Sequence, residues 1–561
     1  MTVRPRQLLA RAALLVLACL TLPGLSAAQS LHFDVSIPRT VVSEAVTGRL
    51  VVAIATGDKP EPREAIGLTG PMILGLDVEQ LPAGQVATVD ESAISYPLEH
   101  LSELPAGDYF VQAVLIRYGK VTRSDGHTIW VPTQHRRMPF FMLPGNLYSK
   151  VQKQHLDPAK GATVRLELTD TIGPVEEPKD TPWLRSVQIK SKLLSDFWGM
   201  PTYLRATALV PRGFDEHPQA RYPALYAQSQ ERTSPFWFNP DPASQEGQRG
   251  LRQSANIQTG YEFYQTWQSD GFPRFVAIVM EQSSPYFLEA YSVDSANHGP
   301  YGRAIVEELI PFLERKFRLI PKSYARIVEG ASTGGWETLA LQLQHPDLFG
   351  GAWVFNPDPI DFNHYQLLNI YRDENAFSVP MSSFQSAERP FRRTVEGQVT
   401  HTFRQLSRLE AVMGSKGRSG YQLDAWQTVH GPVGADGYPV LLFDKLTGVI
   451  NKDVASYMRE HGYDLTEYTR RNWPTLGPKL VGKLNFMSGE MDNFYLNLAV
   501  YDFEAMLNET KDPHYAGRFE YGRPKQGHSW HHKDFSEMIR EMAEHVKQTA
   551  PPGEDTAQWS Y

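Results

Sequence analysis

The stretch Ile327-Val328-Glu329-Gly330-Ala331-Ser332-Thr333-Gly334-Gly335-Trp336, followed by Leu339, Ala340, Leu341 and Leu343, decides how the rest of the chain is read. An apolar run enters a glycine-rich turn, and apolar residues at helical spacing follow, so the pattern is strand, tight turn, helix. Ser332 stands at the turn with one glycine two places before it and another two places after it. Small neighbours let the backbone bend sharply and present the hydroxyl, which is the arrangement of a nucleophile elbow. The Gly-x-Ser-x-Gly string occurs once in the 561 residues.

A serine hydroxyl is a poor nucleophile near neutral pH; it needs an imidazole to take its proton and a carboxylate to hold that imidazole. Two candidate strands after the elbow, Leu484 to Met487 and Arg518 to Tyr521, lead into Gly489-Glu490-Met491-Asp492-Asn493 and Gly527-His528-Ser529-Trp530. Both turns therefore belong at the same carboxyl edge of a sheet as Ser332. The order serine, aspartate, histidine makes Asp492 and His528 the candidate partners, with Asp358 and Glu490 as competing acids. A metal reading of His528, His531, His532 and Asp534 lacks the His-Glu-x-x-His helix or cysteine set that would support it. For the oxyanion, which needs two preorganised N–H donors, the candidates are Thr333 and, in the loop after Ala224 to Ala227, Gln230 or a residue beside it.

Working outward, residues 1–28 carry Arg4, Arg6 and Arg11, an apolar run from Ala12 to Leu25, and Ser26-Ala27-Ala28. That is the pattern of a secretory signal cleaved after Ala28, and it places the protein outside the cytoplasm or in the periplasm. Cys19 is the one cysteine, and the residues before it are a poor lipobox. Once residues 1–28 are removed, disulfides, thiolate metal sites and a cysteine nucleophile are all excluded. The formal net charge is −8, which disfavours nucleic acid as a partner. No segment after the signal offers the roughly 18 consecutive apolar residues of a membrane span.

Residues 29–182 show short alternating runs, Phe33-Val35-Ile37, Leu50-Val52-Ile54 and Tyr109 to Ile116, divided by proline and glycine clusters. This predicts a β-sandwich-like domain and a linker. From residue 183 strands alternate with helices, including Gly302 to Phe317, which predicts an α/β sheet over 183–356 and 481–561. The intervening residues, 357–480, are too long for a structureless loop; pieces such as Phe403 to Met413 and Asp453 to Glu460 predict a helical cap. Trp336 and the cap arginines Arg392, Arg393 and Arg404 are candidates to meet an aromatic or anionic group, beside the plainer readings of core packing and a solvated face.

Several stretches resemble the putative-esterase family of α/β-hydrolases, which includes esterase D, enterochelin esterases and feruloyl esterases. They are Leu209-Val210-Pro211-Arg212-Gly213-Phe214, Arg221-Tyr222-Pro223-Ala224-Leu225-Tyr226, Glu308-Leu309-Ile310-Pro311-Phe312, the elbow, and His345-Pro346-Asp347-Leu348-Phe349. The resemblance implies an α/β-hydrolase with Ser332, Asp492 and His528 as its triad, acting on a small-molecule, carbohydrate or phenolic ester without cofactor or metal. Two departures stand out: Ser229-Gln230 replaces the family's usual His-Gly after the third strand, and the insertion is larger than typical. A serine peptidase or acyltransferase on the same fold, and an inactive envelope binding module, are the alternatives.

Overall fold

The computed structural model describes residues 30–133, 136–229, 234–244, 258–515 and 517–561. The expected signal sequence, Cys19 and Gln230 lie outside the described residues.

The mixed sheet follows from the run of β-branched and apolar segments after residue 183. Its eight strands are β1 (Leu184–Ser191), β2 (Thr202–Leu209), β3 (Ala224–Gln228), β4 (Val276–Glu281), β5 (Arg326–Ala331), β6 (Gly351–Phe355), β7 (Leu484–Gly489) and β8 (Arg518–Gly522). They lie in the order 1-2-4-3-5-6-7-8, with β2 antiparallel to both neighbours and β4, β3, β5, β6, β7 and β8 mutually parallel. Parallel strands are covered by helices on both faces, and so β3, β6 and β7 are buried along their whole length. Order and orientation are those of an α/β-hydrolase sheet.

Residues 30–182 form two sheets. A three-stranded sheet holds His32–Ser36 between Thr163–Glu167 and Val86–Val89, and an eight-stranded sheet is centred on Val46–Ala55 paired antiparallel with Gly107–Thr122. Phe33, Val35, Leu50, Val52, Ile54, Ala113, Leu115 and Leu166 meet in one apolar cluster between them. Alternation along Leu50-Val52-Ile54 predicts one buried face, yet Val51 and Ala53 are also fully buried. That second face is closed by Ile66, Phe140, Phe141 and Leu143 together with the insertion. Its helix α2 (Phe403–Met413) packs on strands Met72–Leu81 and Ile94–Tyr96 of the same sheet, and Arg49 donates to the main-chain oxygens of Val412 and Ala411 at 2.8 Å each. Arg408, at the other end of this contact, donates to the main-chain oxygens of Ser95 and Glu99 at 2.7 Å each.

The insertion is less purely helical than its sequence suggests. Beside α2, it contains α3 (Gln422–His430), α4 (Lys452–Glu460) and α5 (Leu465–Leu480), and before them two β-hairpins, Ser378–Ser382 with Gln385–Glu388 and Pro390–Arg393 with Val399–Thr402. These hairpin strands are four or five residues long, too short for a clear period-two signal. Among the described residues no helix is long and apolar enough to cross a membrane.

Candidate active site

Strand β5 ends at Ala331, and helix α1 runs from Thr333 to Gln344. Ser332 joins them with φ 58° and ψ −124°, a conformation that costs an L residue on the order of 1–3 kcal/mol. The neighbours compel this turn. A Cβ on Gly334 would stand 2.1 Å from the main-chain oxygen of Gln228 at the end of β3, and one on Gly330 would stand 2.3 Å from the oxygen of Gly334. Main-chain bonds lock the elbow: Ser332 N donates to Phe355 O at 3.0 Å, and Asp358 N donates to Ser332 O at 3.0 Å.

The loop after β7 carries Asp492, whose side chain is fully buried. Its Oδ1 accepts from the backbone N–H of Phe494 at 2.8 Å and of Leu496 at 3.3 Å, so the carboxylate is fixed by its own turn. Oδ2 lies 2.7 Å from His528 Nδ1. His528 sits in the loop after β8, with its side chain 17 % exposed and the ring of Phe494 set edge-on at 5.0 Å. Its backbone N–H donates to Asn493 Oδ1 at 3.0 Å, and a Cβ at residue 527 would meet that same oxygen at 2.6 Å, which is why glycine precedes the histidine.

Of the competing acids, Glu490 turns away to the backbone N–H of Lys525 and the guanidinium of Arg523. Asp358, by contrast, contacts Ser332 itself. Its Oδ1 accepts from Ser332 Oγ at 3.3 Å, while Oδ2 accepts from Tyr291 OH at 2.8 Å, Gln422 Nε2 at 2.9 Å, Thr333 Oγ1 at 3.0 Å and Trp426 Nε1 at 3.1 Å. Burial pushes this carboxyl above its ordinary range, and the hydrogen bonds from Tyr291, Trp426 and Thr333 oppose the shift. The Thr333 amide is the first of α1, at an end where helices leave N–H groups without intrahelical acceptors.

The other expected contacts resolve individually. Trp336 is fully buried between Tyr291 and His430, so it packs behind the site rather than facing a ligand. Arg404 pairs with Glu388 at the surface, and Arg392 lies over the ring of Phe494 at 5.4 Å. Arg393 reaches the site: its Nε donates to Asp492 O at 3.0 Å, and its guanidinium lies over Tyr495 at 4.3 Å. His532 turns to Glu541, and His531 to the main-chain oxygen of Ser529. Among the described residues no group of three or more His, Cys, Asp and Glu side chains is placed to hold a metal ion.

Three further positions that the sequence did not single out belong to this arrangement. Asn356, at φ 39° just after β6, donates to Trp530 O at 3.0 Å and accepts from Gly489 N at 2.8 Å, tying the strand end to both the acid and the histidine loops. An Asn-Pro pair after a strand is the signal that marks it. Gln422 and Trp426 arrive from a distant helix, and nothing local announces them.

Sheet order and strained elbow together define a hydrolase of the α/β class. Residues 200–386 match the family model described as "Putative esterase", a span that holds the elbow and Asp358 but stops short of Asp492 and His528. The match marks the chain as a carboxylic ester hydrolase. No curated protein sequence matches the chain. Among solved structures it is similar to a ferulic acid esterase (14 % identity, 62 % of this chain and 90 % of that one, TM-score 0.35). It is similar as well to the Staphylococcus aureus fluorophosphonate-binding serine hydrolase FphF (14 %, 65 % and 98 %, TM-score 0.30). A third is an S-formylglutathione hydrolase from Agrobacterium tumefaciens (11 %, 66 % and 99 %, TM-score 0.32).

Proposed function

We propose that the protein is an exported serine esterase that works through an acyl-enzyme, with Ser332 as nucleophile, His528 as general base and acid, and Asp492 as the group that orients the imidazole. One observation carries this reading: the 2.7 Å contact of His528 Nδ1 with a buried, turn-fixed Asp492, at the sheet edge where Ser332 occupies a strained elbow. With the Nδ1 proton held by Asp492, Nε2 is the basic nitrogen. Ser332 Oγ attacks the ester carbonyl carbon as its proton passes to Nε2. The tetrahedral intermediate collapses, the C–O bond to the alcohol breaks, and the alkoxide leaves with that proton. Water then repeats the sequence on the acyl-enzyme and releases the acid. The Thr333 amide, with Gln230 or its neighbour, stabilises the oxyanion.

In this reading residues 29–182 are a β-sandwich module with its linker, 357–480 are the cap, and the leader is removed after Ala28. The substrates are small-molecule, carbohydrate or phenolic esters. The test is hydrolysis of short p-nitrophenyl esters by wild type, Ser332→Ala and His528→Ala. Loss of a triad member removes several orders of magnitude in rate, on the order of 10⁶ in a well-studied protease. Turnover by wild type with both variants at background is the expected result. An inert wild type that also fails to take a fluorophosphonate label overturns the reading in favour of a binding module.

A further inference from the structure

The reaction just described has no use for Asp358, yet this second carboxylate touches the nucleophile and is buried to 3 % exposure. An ionised group taken out of water is costly unless donors surround it, and such a group is weak evidence for stability in itself. Here the donors come from two places. Ser332 and Thr333 belong to the elbow, whereas Gln422 and Trp426 belong to α3 of the insertion, 64 and 68 residues away in sequence. Tyr291 completes the ring of donors from a third segment, where it and Ser292 adopt φ 60° and 55°. Two successive left-handed residues persist only where their surroundings over-determine them.

We propose that Asp358 is a positioning residue: it joins the Ser332 elbow to helix α3, taking the nucleophile hydroxyl on Oδ1 and the insertion's two donors on Oδ2. The proposal rests on Ser332 being the nucleophile. It makes the insertion part of the catalytic framework, because the rotamer of the attacking hydroxyl depends on side chains that the insertion supplies. Groups that bear on Asp358 electrostatically are Tyr291, Tyr365, His528 and Glu337. Of these, burial keeps both tyrosines protonated and pushes Glu337 well above its ordinary value.

The experiment measures three quantities on the purified full chain: the rate of fluorophosphonate labelling, the pH profile of kcat/KM on a short p-nitrophenyl ester, and the melting temperature. The variants are Asp358→Asn and the double variant Gln422→Ala, Trp426→Phe, which leaves elbow and triad intact. Misplacing a reacting group by about 1 Å costs up to about 100-fold. The double variant is therefore expected to label 10- to 100-fold more slowly, with KM nearly unchanged. Asp358→Asn is expected to alter the acid limb of the profile, since it removes a carboxyl that touches Ser332 and that burial pushes above its ordinary range. Labelling rates and acid limbs that match wild type overturn the proposal, even if melting falls. If Asp358→Asn does not fold, the double variant decides alone. A wild type that takes no label fails the nucleophile assignment, which is a different outcome from labelled variants that behave as wild type.

Discussion

Arg393 lies in the insertion, and Asp492 in the loop after β7; the Nε of the first donates to the main-chain oxygen of the second at 3.0 Å. The backbone joins in: Arg393 N donates to Asn493 O at 2.8 Å, and Asn493 Nδ2 returns a bond to Arg393 O at 2.9 Å. Asn493 in turn receives the backbone N–H of His528. The acid and histidine loops are thus clamped by a hairpin that sequence places about 100 residues earlier.

Arg393→Ala should loosen that clamp without touching the side chains of Ser332, Asp492 or His528. Hydrogen bonds from charged groups contribute about 1.5–3 kcal/mol, so kcat/KM should fall about 10- to 100-fold, chiefly through kcat. Arg393→Lys should recover part of the loss, because a lysine reaches the carbonyl but lacks the planar group over Tyr495. Steady-state kinetics on one ester check this, and an unchanged kcat in Arg393→Ala would refute the clamp.

Ser332→Gly and Ser332→Ala should both be inactive, but they should differ in stability. At φ 58° an alanine keeps the strain of the elbow, on the order of 1–3 kcal/mol, and a glycine does not. The extra freedom of glycine in the unfolded chain offsets about 0.5–1 kcal/mol. The glycine variant is therefore expected to melt above the alanine variant; the reverse order would mean that the surrounding chain relaxes.

Gly334→Ala brings a methyl group to 2.1 Å from Gln228 O. That oxygen belongs to a strand paired on both sides and cannot retreat cheaply. Overpacking of this kind costs about 1–3 kcal/mol or more, and both melting temperature and soluble yield should drop. A variant that melts with wild type would show that β3 and α1 separate more easily than their contact suggests.

Glu410 supplies a pH prediction away from the catalytic groups. Burial pushes its carboxyl up to about 8, with the charge of Asp424 adding to the shift and Lys445 opposing it. The folded protein therefore holds this proton more tightly than the unfolded chain, whose carboxyl titrates in its ordinary range. Between that range and about pH 8 the contribution of Glu410 to stability falls as pH rises, and it is flat on either side. Melting temperatures from pH 5 to 8 should show a downward slope that Glu410→Gln reduces. An identical slope in the variant would assign the effect elsewhere.

The elbow and the two loops were legible because their signals are local. The elbow needs Gly330, Ser332 and Gly334 within five residues, and the two loops follow apolar strands short enough to recognise. The double coverage of Val51 and Ala53 was not legible, since alternation reports one face, and the second is closed by turns around Ile66 and Phe140 and by a helix about 350 residues downstream. The same holds for Asp358. Its position after β6 shows in the sequence, but its partners Gln422 and Trp426 depend on where the insertion folds back. Hairpins of four or five residues carry too little pattern to compete with the helical stretches around them.

The Arg49–Val412 contact has a consequence for how this chain can be cut or recombined. Trimming the insertion to a short loop would strip α2 from strands Met72–Leu81 and Ile94–Tyr96 and expose apolar side chains such as Ile73 and Tyr96, a surface of the kind that pairs with other molecules. Removing the N-terminal sheets would strand α2 in the same way. The two appendages are therefore one graft, to be transplanted together or not at all.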